Sequence, residues 1–180
     1  MKSRTLKRLC LVSFWAALAM VSMYVDAESI CPAGIPETAK DEEFMLTTNG
    51  EAIHLPSNLV FMRCSFGQTW TGNNCEGEPQ PLTWQEALNY AMGFEYANSK
   101  NWRLPNVKEL AQITEKACVR PAINEAIFPV TSSDDYWTSS PSIQDVLRAW
   151  SVSFENGSTS LKAKDRTIFV RLVRTRLPQE

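Results

Sequence analysis

Cysteines carry the clearest chemistry in this sequence. Four of the five are Cys31, Cys64, Cys75 and Cys118, and the fifth, Cys10, lies in an apolar N-terminal run. In an exported chain an even number of cysteines indicates disulfides, and four cysteines allow three pairings. We favour Cys64 with Cys75, because the segment between them is short and rich in turn formers, and this leaves Cys31 for Cys118. Zinc binding is disfavoured, because the sequence has no C-x-x-C and the cysteine spacings of 33, 11 and 43 match no zinc motif.

Catalytic side chains are few. The sequence has one histidine, His54, and a lone histidine is more often a packing or surface residue than a base or a metal ligand. Adjacent carboxylates occur at 41–43 and 134–135, but such pairs in loops are usually solvated or capping residues. No nucleophile elbow, phosphate-binding loop, zinc-protease or dinucleotide motif occurs. We therefore expect a protein that is not an enzyme and has no cofactor.

Calcium is the metal ion for which the sequence offers candidate ligands. Hard cations bind carboxylate and carbonyl oxygens. Asp134, Asp135 and Glu125 would supply them if the loops around the segment DDYWTSS converge, although their spacing matches no EF-hand. A calcium site at these three residues is the alternative to having no cofactor.

Aromatic residues are the main candidates for ligand binding. The sequence has six tryptophans, and an exposed ring beside polar groups suits the apolar face of a sugar. Trp84, Trp102 and Trp150 lie at inward positions of periodic segments, so we expect them in the core. Two rings are candidates for ligand contact: Trp70, in the Gly/Asn-rich segment between two cysteines, and Tyr136, beside two acids.

Basic residues accumulate toward the C-terminus. From residue 145 onward, seven Lys or Arg side chains oppose four Asp or Glu. Solvated strand faces and charged sheet edges explain such a pattern without any ligand. The other interpretation is a surface that binds a sulfated or carboxylated polymer. Its candidate residues are Arg148, Lys162, Lys164 and Arg166, and the remaining cations are Arg171, Arg174 and Arg176.

Residues 1–27 have the pattern of a secretion signal. Four basic residues precede an apolar run that is shorter than the roughly 20 residues a membrane span needs, and Val25-Asp26-Ala27 offers a cleavage site. Cleavage there removes four of the 18 basic and one of the 20 acidic residues, leaving 14 and 19. An acidic chain of this kind has no overall electrostatic attraction for nucleic acid or for an anionic membrane. We expect an exported protein, periplasmic or extracellular, without a membrane span after cleavage.

Two capping patterns predict the helices. The T-x-x-E pattern at 83–86 predicts a helix to about residue 98. The N-x-x-E pattern at 106–109 predicts a second helix from residue 107 to about residue 116.

Strand patterns occupy much of the remaining sequence. The segments NLVFMRC, DDYWTSS and IFVRLVR predict strands, and Asn156-Gly157 predicts a hairpin turn. Residues 102–104 predict a short strand that ends at a proline, and residues 28–57 are expected to be irregular before a domain at 58–176. Helices in the middle and strands toward the end predict an α+β fold with an antiparallel sheet.

The motifs in combination resemble a known family. RCSFGQTWTGNNCEG, LTWQEALNYA, NWRLPNVKEL, YWTSSP, AWSVSFENGS and VRLVR, in this order, are similar to the C-terminal domain of the Legionella collagen-like adhesin, Lcl. RLPN before a helix also resembles formylglycine-generating enzymes, whose fold is a variant of the C-type lectin fold. The resemblance implies a C-type-lectin-like architecture, a twisted antiparallel sheet with two helices and long loops. It does not carry over the enzyme, because those enzymes use a late cysteine pair and none follows Cys118.

The resemblance also implies roles and a function. Trp102 and Leu104 are expected to seat a short strand in the core, Pro105 to end it, and Arg103 to pair with a carboxylate or with loop carbonyls. The family domain is associated with sulfated polysaccharides and glycosaminoglycans. The leading hypothesis is thus an exported, non-catalytic binding module for a glycan, a sulfated polysaccharide or a cell-surface partner. The alternative is a structural component of a periplasmic or secreted complex without a small ligand.

Overall fold

The computed structural model describes residues 29–177, so the predicted signal at 1–27 lies outside the described residues. Among them, two α-helices and nine strands follow a short 3-10 helix. In chain order these are Asp41–Glu43 (3-10), β1 Phe44–Leu46, β2 Glu51–His54, β3 Leu59–Met62, β4 Thr69–Trp70, β5 Cys75–Glu76, α1 Trp84–Gly93, α2 Val107–Ala111, β6 Asp135–Pro141, β7 Arg148–Ser153, β8 Thr159–Ala163 and β9 Val173–Thr175.

The described strands pair into three antiparallel sheets, in the orders β1-β2-β3-β9, β4-β5 and β6-β7-β8. Strand β9 lies beside β3, so the end of the chain completes a sheet that begins near its start. The predicted hairpin at Asn156-Gly157 joins β7 to β8. The predicted α+β class, with antiparallel strands, two helices and two disulfides, is confirmed.

Much of the segment before β3 is more regular than the sequence predicts. Strands β1 and β2 form a meander with β3, in which Phe44 lies opposite His54 and Ile53 opposite Val60. The expectation of an irregular segment is wrong for 44–54. These strands have three and four residues, too few to show a period, and pairing of β1 with β2 and of β2 with β3 is what makes them strands.

Both helices begin at their predicted capping boxes but end early. Helix α1 stops at Gly93 rather than near residue 98, because Phe94 is extended and the positive φ angles of Ala97 and Asn98 form a tight turn. Helix α2 stops at Ala111 rather than near residue 116, because the chain turns back so that the Glu115 amide bonds the Ala122 carbonyl at 3.0 Å.

Apolar side chains form two clusters on the two faces of the β6-β7-β8 sheet. Successive strand residues point to opposite faces, so Tyr136 joins Val152 and Phe61 in one cluster while Trp137 joins Trp102 in the other. Trp84 and Trp150 are predicted to lie in the core, but both are only half-buried in the structure.

The disulfides are Cys64–Cys75 and Cys31–Cys118, so the favoured pairing is confirmed. The first closes a segment of separation 11 around β4 and β5. The second, of separation 87, ties the N-terminal segment to the middle of the chain, next to a bridge between Ile30 and Val119. Crosslinks of this kind restrict the unfolded chain and stabilise a small exported domain.

The RLPN segment forms a short extended stretch that packs into the core. Trp102 and Leu104 are buried, and Arg103 pairs through its backbone with Val173 in a single bridge rather than a strand, before the buried Pro105. The Arg103 guanidinium donates to both Glu109 carboxylate oxygens, at 2.7 and 2.8 Å. These hydrogen bonds lower the pKa of Glu109, so the arginine ties the extended stretch to the start of α2.

Arg171 is completely buried. Its Nη1 donates to the carbonyls of Met62, at 2.8 Å, and Arg63, and its Nη2 donates to Thr131 Oγ1 at 2.7 Å and Ser65 Oγ at 3.4 Å. Burial lowers its pKa to about 10. The guanidinium therefore joins the end of β3 to the segment before β6 through carbonyls and hydroxyls.

We predict that Arg171→Met destabilises the fold by about 3–5 kcal/mol, because it leaves buried carbonyls without their donor. The matched variant is Arg166→Met, at an exposed arginine five residues earlier, which should change stability by less than about 0.5 kcal/mol. Urea unfolding of both variants measures the difference. Equal unfolding midpoints would contradict a structural role for the buried guanidinium.

Glu115 anchors the N-terminal segment. Its buried carboxylate accepts hydrogen bonds from the amides of Thr38 (2.9 Å), Ala39 (2.8 Å) and Ala117 (2.7 Å). Burial alone raises a carboxyl pKa, but these backbone bonds outweigh it and lower the pKa of Glu115.

Glu115→Gln should cost about 1–3 kcal/mol at pH 7, because the amide replaces an acceptor oxygen with a donor facing backbone N–H groups. A depressed carboxyl pKa contributes stability above the unfolded-state pKa and loses it as pH falls through the folded-state value. The gap between wild type and variant should therefore narrow in acid. Urea unfolding at pH 7 and below pH 4 tests this, and a gap independent of pH would contradict it.

Candidate ligand-binding cleft

An aromatic cleft lies between the Cys64–Cys75 segment and helix α1. Its volume is about 220 Å³. Polar side chains of Ser65, Gln68 and Thr69 share the wall with backbone at Gly50 and Gly67. Its aromatic lining residues are Phe66, Trp70, Tyr90, Phe94 and Tyr96.

Four of these rings pack in a continuous row. Centroids of Phe66 and Tyr90 lie 4.4 Å apart, those of Tyr90 and Phe94 5.0 Å, and those of Phe94 and Tyr96 6.0 Å. Tyr90 and Phe94 are four residues apart, the spacing that stacks side chains on one helix face. Phe94 and Tyr96 follow the early end of α1, so the turn that shortens the helix also builds this wall.

Trp70 is held in place from two directions. Its Nε1 donates to the Thr48 carbonyl at 3.0 Å, and the Arg63 guanidinium lies 4.2 Å from the ring centroid. Arg63 is fixed in turn, because its Nε donates to the Ile127 carbonyl at 2.7 Å. Trp70 also pairs with Cys75 between β4 and β5. The predicted candidate Trp70 thus lies in the cleft on a rigid support.

The lining of the cleft is electrically neutral. Burial raises the pKa of Tyr90 to about 12, so its hydroxyl stays protonated at neutral pH. Burial, helped by Glu51, also raises the pKa of Tyr96, whose hydroxyl donates to the Asn49 carbonyl. Within residues 29–177, the cleft is lined by no carboxylate, histidine, lysine or arginine. Its polar groups are hydroxyls, an amide and backbone, which can hydrogen-bond but carry no net charge.

Tyr136 lies elsewhere. The ring is fully buried against Phe154, with centroids 4.8 Å apart, and its hydroxyl bonds Ser65 Oγ at 2.9 Å and accepts from the Ser132 amide at 3.2 Å. The expectation that Tyr136 offers an exposed ring is wrong, because apolar clusters cover both faces of its sheet.

The basic candidates do not form one surface. Arg148 lies opposite Ala163 and Lys162 opposite Ala149 in the β7-β8 register, so Arg148 and Lys162 point to opposite faces. Lys162 pairs with Asp135 at 2.5 Å, and Arg148 with Asp145 at 3.3 Å. Lys164 lies over the Trp84 ring, Arg166 is exposed, and Arg171 and Arg174 are buried.

The carboxylates proposed for calcium do not converge. Glu125 accepts hydrogen bonds from the Ser29 amide at 2.8 Å and hydroxyl at 2.6 Å, whereas Asp135 pairs with Lys162. Across residues 29–177, no three His, Cys, Asp or Glu side chains are grouped so as to hold a metal ion. Asp134, Asp135 and Glu125, the alternative calcium ligands, therefore do not form one site.

His54 is a packed histidine. It is 5% exposed, its ring lies 4.9 Å from Phe44, and its Nδ1 lies 2.7 Å from Ser57 Oγ. Burial lowers its pKa, although Glu43 opposes this effect. The ring is therefore part of the β1-β2 packing and is remote from the cleft lining.

The fold is a disulfide-crosslinked α+β module with an aromatic cleft at its surface. A family model described as the Lcl C-terminal domain matches residues 52–174, which is more than half of the chain. The chain belongs to the Lcl C-terminal domain family. A comparison with curated proteins gives no match. No helix among the described residues is long and apolar enough to cross a bilayer.

Gly50 has no side chain, and this allows the Trp70 indole to pack directly against the backbone at residue 50. Its φ is +81°, and an added Cβ would lie 2.6 Å from Trp70 Cγ. We predict that Gly50→Ala displaces the indole and costs about 1–3 kcal/mol more than Gly72→Ala. Gly72 also has a positive φ, +104°, but open space around it.

Urea unfolding and the near-ultraviolet circular dichroism of tryptophan report the two effects. A changed tryptophan signal is expected only in Gly50→Ala. Equal costs in the two variants would mean that the indole does not depend on this contact.

Proposed function

We propose that this chain is an exported, non-catalytic binding module that holds a sugar ring of a neutral glycan in the aromatic cleft. The observation that carries the proposal is the neutral cleft, in which five aromatic side chains surround hydroxyl and amide groups. Membership of the Lcl C-terminal domain family supports an adhesin-related role.

The cleft chemistry suits a carbohydrate. Sugar rings present C–H groups that pack on aromatic faces and hydroxyls that need hydrogen-bond partners. Tyr90, Thr69 and Gln68 supply such partners beside the rings. The cavity is smaller than the roughly 300–1,000 Å³ of a drug-sized ligand site. A single ring or chain end therefore fits better than a long polymer segment.

The charge distribution favours a neutral sugar over a sulfated one. A sulfate group needs cations or N–H donors to offset its loss of hydration. Arg63, behind Trp70, already donates to the carbonyls of Ala126 and Ile127. Because the other basic candidates lie on different faces, a sulfated polymer would have to bind outside the cleft.

Two disulfides support an oxidising location, periplasmic or extracellular. The packed His54 and the cleft lining support binding rather than catalysis, because acid–base chemistry is most efficient with a group that titrates near the working pH, and burial raises the pKa values of the cleft tyrosines Tyr90 and Tyr96. The competing hypothesis, an assembly component of an envelope complex, would leave the cleft without a ligand.

A neutral glycan array followed by calorimetry tests the proposal. Trp70→Ala should weaken binding by about tenfold or more, because it removes the stacking surface. Tyr90→Phe should weaken it severalfold, because it removes only a hydroxyl. Trp150→Ala, at a half-buried indole of β7, is the matched control and should bind normally.

Two results would contradict the proposal. One is equal glycan affinity in wild type and Trp70→Ala. The other is an empty array together with recovery of one stoichiometric envelope protein, which would favour the assembly component.

A further inference from the structure

The loop between β6 and β7 exposes three aliphatic side chains. Ile143 is 98% exposed, Val146 78% and Leu147 73%. Single exposed apolar residues are ordinary on a protein surface, whereas a group of them in one loop indicates a contact surface. We call residues 142–147 the apolar tip.

The apolar tip has a defined backbone. The Ser142 hydroxyl accepts hydrogen bonds from the amides of Gln144 (3.2 Å) and Asp145 (3.1 Å), and the Asp145 carboxylate accepts from the Leu147 amide (2.9 Å). At its base the Ser142 amide donates to the Arg148 carbonyl and the Arg148 amide to the Asp145 carbonyl, both at 3.0 Å. The aliphatic side chains are thus presented on an ordered loop, which lowers the entropic cost of binding.

Lys164, which directly follows β8, adds two hydrogen bonds to the backbone of the tip. Its amide donates to the Leu147 carbonyl at 2.9 Å, and its Nζ donates to the Val146 carbonyl at 2.8 Å. The amides of Ser142, Gln144, Asp145 and Leu147 and the carbonyls of Asp145, Val146 and Leu147 are therefore satisfied within the chain. Hydrocarbon demands this of any backbone that it covers. A surface that binds a protein partner would instead be expected to offer it hydrogen-bonding groups, at about one hydrogen bond per 100–200 Å² of interface.

The base of the tip has the composition of a membrane–water interface. Lys164 lies 4.1 Å from the centroid of the half-buried Trp84 ring. Tryptophan at headgroup level and long basic side chains that reach into water are typical of interfacial segments. Lys164 and Arg148 also lie at this base against one carboxylate, Asp145, and this excess of one cation complements anionic headgroups.

We propose that the apolar tip inserts its aliphatic side chains into the interfacial layer of a lipid bilayer and seats the domain on a membrane surface. Insertion of this kind is peripheral and needs no membrane-spanning segment. The inference goes beyond the glycan proposal and does not rest on it, because the tip and the aromatic cleft share no residue.

Vesicle partitioning tests the inference. The exported protein, with its N-terminus defined by mass spectrometry, is sedimented with phosphatidylcholine/phosphatidylglycerol vesicles. Wild type should bind, and the triple variant I143S/V146S/L147S should lose at least about tenfold in partition coefficient, because burial of aliphatic surface drives insertion.

Met92→Ser is the matched control, since Met92 is 77% exposed near the end of α1, and it should partition like wild type. Unchanged circular dichroism and urea midpoints would separate a loss of binding from a loss of fold. No partitioning of wild type, or equal partitioning of wild type and the triple variant, overturns the inference. The inference is also overturned if the triple variant loses only the binding of an envelope protein, because the tip would then be a protein contact.

Discussion

The buried guanidinium of Arg171 is the constraint on which much of this structure depends. A charge without solvent is costly unless hydrogen bonds surround it, and among the described residues no carboxylate pairs with this one. Carbonyls at the end of β3 and the hydroxyls of Ser65 and Thr131 offset the charge, with the Phe128 ring 4.9 Å away. The chain must therefore bring these segments together around one side chain.

That arrangement extends to the cleft. Ser65 contacts Arg171 and also lines the aromatic cleft, and it is next to Cys64, where the disulfide-closed segment begins. Arg63 continues the same support, because it lies over Trp70 and donates to carbonyls of the segment before β6. Two buried arginines thus hold the wall that carries Trp70, while α1 supplies the opposite wall. A preorganised site of this kind lowers the cost of ordering side chains on binding.

Local chemistry explains what the sequence could predict. Capping boxes, an Asn-Gly turn and a short cysteine-bounded loop are each decided by neighbouring residues, and all of them have the expected structure. Trp70 lies in that loop, and the structure places it in the lining of the cleft.

Tertiary structure decided the rest. Tyr90, Phe94 and Tyr96 look like ordinary helix residues until the chain turns after Gly93, and that turn gave no strong local signal except the glycine itself. Arg171 alternates with apolar neighbours as a solvated strand residue would, yet its partners come from segments far away in sequence. Tyr136 is buried rather than exposed, because the second apolar layer over its sheet is assembled from elements that are distant in sequence.

The central claim is that a sugar ring packs on the Trp70 indole in a neutral cleft. Nuclear magnetic resonance of ¹⁵N-labelled protein, read at the tryptophan indole N–H signals during titration with a glycan that binds, tests this claim most directly. The account predicts that the Trp70 signal moves while those of Trp137 and Trp150, outside the cleft lining, stay fixed. A silent Trp70 signal alongside shifts around Arg148 or Lys162 would contradict it.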